Sequence, residues 1–250
     1  MIRESPRRSS RIAAGALPIM SLAIVIPTLD EESLLGATLL AARRHLRHEE
    51  GDLLVVSDGG SRDATLTVAR EAGVEIVTGA AGRGVQLARG ARHAMERGAT
   101  SLLFLHADSR LPDGARDLIL DCLRRGAVGG GFLISFEPET RLLRLGARLV
   151  SLRTRLLRVP LGDQAQFASV AAYQAAGGFP EWPLLEDVEL LLRLKRVGRL
   201  AIVGEPVATA ARRFSAQGVA RTVATNWTIW ALYALGVRPQ TLARLYARVR

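Results

Sequence analysis

Residues 53–65 read LLVVSDGGSRDAT, an apolar run that stops at Asp58 and gives way to two glycines, a serine and a second acid. A short, near-continuous apolar run bounded by turn residues reads as a strand buried on both faces. Short apolar runs of the same kind stand on either side of it. Strands are expected at Leu22–Ile26, Leu53–Ser57, Val74–Thr78, Leu102–His106 and Val128–Ser135, with helical patterns near 32–48, 62–72, 85–97 and 112–125 between them. This succession predicts an α/β fold with a mostly parallel sheet flanked by helices and right-handed crossovers.

In such a sheet ligands bind beyond the carboxyl ends of the strands. The segments there are PTLDEE (27–32), DGGS (58–61), GAAGRG (79–84) and HAD (106–108), so all four polar clusters fall on one edge. After residue 136 the alternation breaks. A helix near 139–157 leads to Gly162-Asp163-Gln164, a short apolar strand or turn, and GGFP (177–180). A helix near 185–197, entered through Leu184-Leu185-Glu186-Asp187, and two more near 217–235 and 239–249 complete the pattern.

Each polar cluster supports two readings. Asp58, at a strand end beside glycines, can accept hydrogen bonds from a nucleotide base or ribose. It can equally bond its own turn, with Ser61 capping the next helix. Gly82-Arg83-Gly84 offers backbone N–H groups, a helix N-terminus and a guanidinium, a combination suited to a diphosphate. Asp108 can share Mg²⁺ or Mn²⁺ with such a diphosphate, or cap the following turn. His106 reads most simply as a packed histidine at a strand end. Glu186 and Asp187 either complement the dipole of their helix or supply a base for a hydroxyl proton, and spacing does not choose.

Charge and composition exclude several classes. The chain has 250 residues, 48% apolar and 23% charged, enough for a substantial core. The net charge of +10 sits at the ends: residues 1–20 carry four Arg and one Glu, residues 199–250 eight Arg and one Glu, and the stretch between is balanced. No ladder of basic and aromatic residues marks a nucleic-acid groove, so nucleic acid is not an expected partner. The single cysteine, Cys122, forms no intrachain disulfide, in keeping with a reducing compartment. Residues 1–20 read as a disordered extension or a mis-assigned start. The apolar stretch 12–26 is interrupted by Pro18 and is too short to span a bilayer.

Taken in order, PTLDEE, SDGGSRDAT, GRGVQ, LHADS and LLEDVELLLRL resemble the family 2 glycosyltransferases of GT-A fold over about residues 21–200. The wording GRGVQLARGA, LHADS, GDQ, GGFP and LLEDVEL, followed by Asn226-Trp227 and LYALGV, is similar to a small bacterial branch associated with arsenosugar biosynthesis. The resemblance implies a glycosyltransferase domain at 21–210 and a C-terminal helical segment at 211–250. It implies an inverting transfer from a nucleotide-diphosphate sugar to an acceptor hydroxyl, the acceptor unspecified. Pro27, Thr28, Glu31 and Asp58 would contact the nucleoside, and Arg83 would lie near the diphosphate. The metal motif of the family appears as His106-Ala107-Asp108, which makes Asp108 the ligand of Mn²⁺ or Mg²⁺ and leaves His106 outside the pattern. Asp187 maps onto the base, with Asp163, Gln164 and Glu186 on the acceptor side. Arg212 and Arg213 would close over the leaving phosphates.

The alternatives are a nucleotidyltransferase on a similar sheet and a membrane-associated nucleotide-binding protein without turnover. Val223, Trp227, Trp230, Ala231 and Ala234, ringed by arginines, form a basic amphipathic segment. It could pack on its own domain, lie on a membrane surface or join two copies as a homodimer. The localisation that follows is cytoplasmic, with peripheral contact at the inner face of the cell membrane.

Overall fold

The computed structural model describes residues 20–211, 225, 228–233 and 235–249. Residues 1–19, Arg212, Arg213, Val223, Asn226, Trp227, Ala234 and most of the helix expected at 217–235 lie outside the described residues.

Eight strands form one sheet: β1 (Leu22–Thr28), β2 (Leu53–Asp58), β3 (Glu75–Thr78), β4 (Ser101–Phe104), β5 (Ser109–Arg110), β6 (Gly129–Glu137), β7 (Phe167–Ser169) and β8 (Leu200–Ala210). Their order is β3-β2-β1-β4-β7-β6-β8-β5. β3, β2, β1 and β4 run parallel, β7 is antiparallel to β4 and β6, β6 and β8 are parallel, and β5 is antiparallel to β8.

Alternation along the strands gives the sheet two buried faces. Leu22, Ile24 and Ile26 of β1 point to a core shared with helices α1 (Glu32–Arg43), α2 (Thr65–Glu71) and α4 (Ala115–Arg124). Ala23 and Val25 point the other way, to a core shared with α3 (Arg83–Glu96), α6 (Val170–Ala175) and α7 (Glu186–Val197). The remaining described helices are α5 (Arg141–Leu157), against β6, and α8 (Pro239–Val249).

Two expectations are corrected. The first helix ends at Arg43 rather than near 48, because the chain turns so that the N–H of Arg47 can reach the Asp52 carboxylate at 2.8 Å. Strand β8 was not expected from the sequence, since Gly204-Glu205-Pro206 breaks its apolar run. The sheet absorbs the break as a bulge: Phe132 pairs with Val203 and the next residue, Leu133, with Pro206. Part of the described C-terminal segment packs inward, as in the first of the readings given for it. Ile229 and Leu242 are buried with Leu185 and Val188 of the α7 entry, Trp230 packs beside them, and the Tyr233 hydroxyl donates to Glu189 at 2.8 Å. Burial first, and then the Glu189 carboxylate, push the Tyr233 hydroxyl up to about 12. These side chains face the protein.

At the end of the sheet opposite the polar loops, Arg116 and Asp52, both buried, form an ion pair. Asp52 also accepts from the N–H of Leu22 at 2.7 Å, which anchors the start of the central strand.

Candidate functional site

The loops after β1 and β2 are stapled to each other. Asp30 N–H donates to Ser61 Oγ at 2.9 Å, and Arg62 N–H returns a bond to Asp30 Oδ1 at 2.8 Å. Glu31 N–H meets Thr65 Oγ1 at 2.8 Å, and Ala64 N–H meets Glu32 Oε2 at 2.8 Å. Asp58 is fully buried and takes the loop-building role: it accepts from Thr28 Oγ1 at 3.1 Å, Gly60 N–H at 2.7 Å, and both the N–H and hydroxyl of Ser61. Burial pushes its carboxyl up, but these donors outweigh that and hold it below its ordinary value. Thr28 is buried with it, so two of the four residues expected at a nucleoside also make hydrogen bonds within the protein, while Pro27 and Glu31 keep partial exposure.

Gln86, one turn into α3, closes the same edge from below. Its Nε2 donates to the carbonyls of Thr28 at 2.6 Å and Ser57 at 3.0 Å, capping the ends of β1 and β2.

Arg83 opens α3 and lies at the meeting point of three elements. Its Nε pairs with Glu186, its Nη2 lies 3.5 Å from Asp187 Oδ2, and its Nη1 lies 3.5 Å from His106 Nε2 at the end of β4. Close approach is possible because residue 84 has no side chain. A Cβ there would sit 2.6 Å from the Pro180 carbonyl and 3.1 Å from Glu186 Cβ. On the far side, Leu185 enters α7 at φ 64°. A bulky residue with positive φ costs about 1–3 kcal/mol and persists only where its surroundings enforce it. Here the Leu185 side chain is buried with Val188, Ile229 and Leu242, and the turn aims Glu186 and Asp187 inward. Dipole complementarity alone would leave such acids in water.

The Gly162-Asp163-Gln164 turn completes the cluster. Gly162 N–H donates to Asp187 Oδ2 at 2.6 Å. Asp163 Oδ1 is buried without a hydrogen-bond partner. Burial and then the Asp187 charge push the Asp163 carboxyl up, against the pull of Arg153 and Arg83. Burial also raises Glu186, opposed by Arg83 and reinforced by Asp187. Arg83 is held further above its ordinary value, because Glu186 and Asp187 outweigh its burial; burial lowers Arg153. Three carboxyl groups thus share two guanidinium groups, an arrangement suited to holding and passing a proton.

Gln164, expected on the acceptor side, lies in the same turn. It is fully buried, donating to the Phe132 carbonyl at 2.8 Å while its Oε1 accepts from Leu161 N–H at 2.8 Å and Thr154 Oγ1 at 3.0 Å. It fixes the turn that carries Asp163. Arg153, on α5, was not singled out in the sequence. Its guanidinium lies 5.8 Å from the Trp230 ring centre and donates to Gln164 at 3.2 Å, and no local motif marks it.

Asp108 is partly exposed two residues beyond His106, and its carbonyl accepts from Ala210 N–H at 3.1 Å, tying it to the end of β8. Among the described residues no group of three or more His, Cys, Asp or Glu side chains is arranged to hold a metal ion. One carboxylate at a strand end still fits Mg²⁺ or Mn²⁺ where substrate phosphates and water complete the shell, since these ions use one or two carboxylates in such sites.

Residues 23–167 match the family model described as Glycosyl transferase family 2. The matched stretch ends before Glu186 and Asp187. No curated protein matches the chain. Among solved structures, S. aureus TarS 1-349 superposes with a TM-score of 0.60 at 13% identity, over 77% of this chain and 61% of that one. The mannosyltransferase PcManGT from Pyrobaculum calidifontis, in complex with GDP-Man and Mn²⁺, gives 0.54 at 16% identity over 76% of this chain and 56% of its own. Glucosyl-3-phosphoglycerate synthase from Mycobacterium tuberculosis, in complex with Mn²⁺, UDP and phosphoglyceric acid, gives 0.54 at 21% identity over 76% and 70%. At these identities the likeness is one of fold, and it bears out the expected GT-A architecture. This chain therefore spans less than two thirds of the TarS structure it matches.

Proposed function

This chain belongs to glycosyl transferase family 2, and on that premise we propose that it moves a sugar from a nucleotide-diphosphate donor to an acceptor hydroxyl with inversion. The observation that carries the reading is the convergence of Glu186 and Asp187 on Arg83, beside His106, at the carboxyl edge of the parallel strands.

The nucleoside would lie over the β1 and β2 loops, against Pro27 and Glu31, on a surface whose shape Asp58 and Thr28 hold. The diphosphate would face Arg83 and the backbone N–H groups at the start of α3. A divalent cation held by Asp108 would supply charge neutralisation for the departing diphosphate. Asp187, fixed by Gly162 and Arg83, is the base. The acceptor oxygen bonds to the anomeric carbon, the bond to the nucleoside diphosphate breaks with its electron pair, and the hydroxyl proton passes to Asp187. Glu186 is held by Arg83 and supports the geometry from beneath, and Asp163 borders the acceptor side. The narrower placement, among the branch associated with arsenosugar biosynthesis, rests on the GRGVQLARGA, LHADS, GDQ, GGFP and LLEDVEL wording.

A thermal-shift panel of nucleotide sugars with Mn²⁺ identifies the donor, since a bound donor stabilises the folded form. Product analysis then decides the reaction. Release of a nucleoside diphosphate supports transfer; release of pyrophosphate identifies a nucleotidyltransferase. Donor stabilisation with no product in the presence of acceptor extracts assigns a binding protein.

A further inference from the structure

Helix α5 presents an apolar stripe to solvent. Leu142, Leu145, Leu149, Leu152 and Leu156 are each more than half exposed, with Leu156 at 74%, and they recur at the spacing that puts side chains on one helical face. The opposite face is the anchored one: Leu143, Ala147 and Thr154 are buried, the first two against Ile134 and Phe136 of β6. Arg141, Arg144, Arg148 and Arg155 run along one border of the leucine stripe, all exposed. Residues 140–162 contain no Asp or Glu.

A stripe at this spacing invites a partner helix, and the charges decide against a second copy. Leucines at the two apolar positions of a heptad place Arg141, Arg148 and Arg155 at one flanking position and Arg153 at the other. Pairing with an antiparallel copy sets Arg141, Arg148 and Arg155 against one another, and a parallel copy, its Arg153 turned inward to Gln164, offers them no acid. The complementary surface is apolar beneath and negative above.

At the carboxyl end of α5, Arg155 and Arg158 line a cavity of about 420 Å³ together with Arg125 and Arg199, and Asp121 in its wall pairs with Arg125 at 2.9 Å. The cationic surface therefore continues past the helix. Seventeen residues give α5 a length of roughly 25 Å. Among the described residues no helix is long and apolar enough to cross a membrane.

We propose that α5 is an interfacial helix that lies on an anionic lipid bilayer, with Leu145, Leu149 and Leu152 among the acyl chains and the bordering arginines at the headgroups. It differs from contact through the C-terminal helices, where Ile229, Trp230 and Leu242 pack with Leu185 and Val188. It stands apart from the transferase reading, because lipid binding is measured without donor or acceptor.

The test is co-sedimentation of the full chain with vesicles of phosphatidylcholine, alone or with phosphatidylglycerol. Binding should require phosphatidylglycerol and weaken as salt rises. Leu149→Glu with Leu152→Glu should lower the bound fraction by about tenfold or more, and Arg148→Glu with Arg155→Glu should do the same. All four side chains are exposed, so the variants should unfold at the same temperature as the parent, which a melting curve checks. No binding to anionic vesicles at low salt would overturn the proposal. So would binding that survives both double substitutions, which would place the contact elsewhere. A dimer in light scattering that dissociates in the leucine variant would assign the stripe to a second copy and overturn it as well.

Discussion

The backbone N–H of Gly162 donates to Asp187 Oδ2 at 2.6 Å, and a Cβ on residue 162 would sit 2.8 Å from that same oxygen. A turn from one part of the chain thus holds, by a main-chain donor and by the lack of a side chain, a carboxylate on a helix 25 residues later. Arg83 lies 3.5 Å from the same oxygen. Two consequences can be measured. Asp187→Asn should lower kcat by about 10²–10⁴-fold while leaving nucleotide affinity nearly unchanged. Gly162→Ala should displace the carboxylate and cost about tenfold in kcat with little change in donor KM. Full turnover in Asp187→Asn would remove it from the base position.

The cation assignment predicts a different signature. Donor affinity, measured by calorimetry, should rise with Mn²⁺ in the parent and be indifferent to Mn²⁺ in Asp108→Ala. Equal Mn²⁺ dependence in both proteins would place the ion elsewhere.

Asp58 gives the pH dependence. Its carboxyl is held below the ordinary value of 3.8, so the unfolded chain binds a proton more readily than the folded one. The stability that Asp58 supplies is therefore fully present above that value and is lost as pH falls through the lower, folded-state value. In urea titrations Asp58→Asn should be less stable than the parent at neutral pH, and the gap should narrow in acid. A constant gap from neutral pH to pH about 3 would contradict the argument.

Arg116 is a purely structural test. Its guanidinium and Asp52 are both buried, and removing one partner leaves the other charge uncompensated. Arg116→Met should cost about 3–5 kcal/mol in urea unfolding, far more than an exposed pair would. Any protein that remains folded should bind nucleotide normally, since this pair lies at the opposite end of the sheet from Arg83.

Gly84→Ala probes the closeness of α3 to the loop before α7. The added methyl meets the Pro180 carbonyl, a backbone atom that cannot swing aside. A loss of about 1–3 kcal/mol is expected, together with weaker donor binding as Arg83 and Glu186 are forced apart. Unchanged stability and donor affinity would refute the tight contact.

The sequence by itself determined the parallel half of the sheet and the edge on which the polar loops gather. That information is local: apolar runs ending in Asp, Gly and Ser at 58–61, or in Gly-Arg-Gly at 82–84, declare strand ends and helix starts without reference to the rest of the chain. It also singled out Arg83, Asp108, Glu186 and Asp187. What it left open was which polar residues face a ligand. Asp58, Thr28 and Gln164 carry the right chemistry for contact, yet they also hydrogen-bond within the fold, and only coordinates reveal where a donor points. Strand β8 escaped notice because a bulge across Gly204-Glu205-Pro206 is decided by its neighbour β6. The meeting of Arg83 with Glu186, more than a hundred residues apart, and the recruitment of Gly162 and Arg153 belong to tertiary structure alone. Periodicity and turn chemistry act over a few residues, whereas a buried charge cluster is fixed by which chain segments the packed sheet brings within a few ångströms of one another.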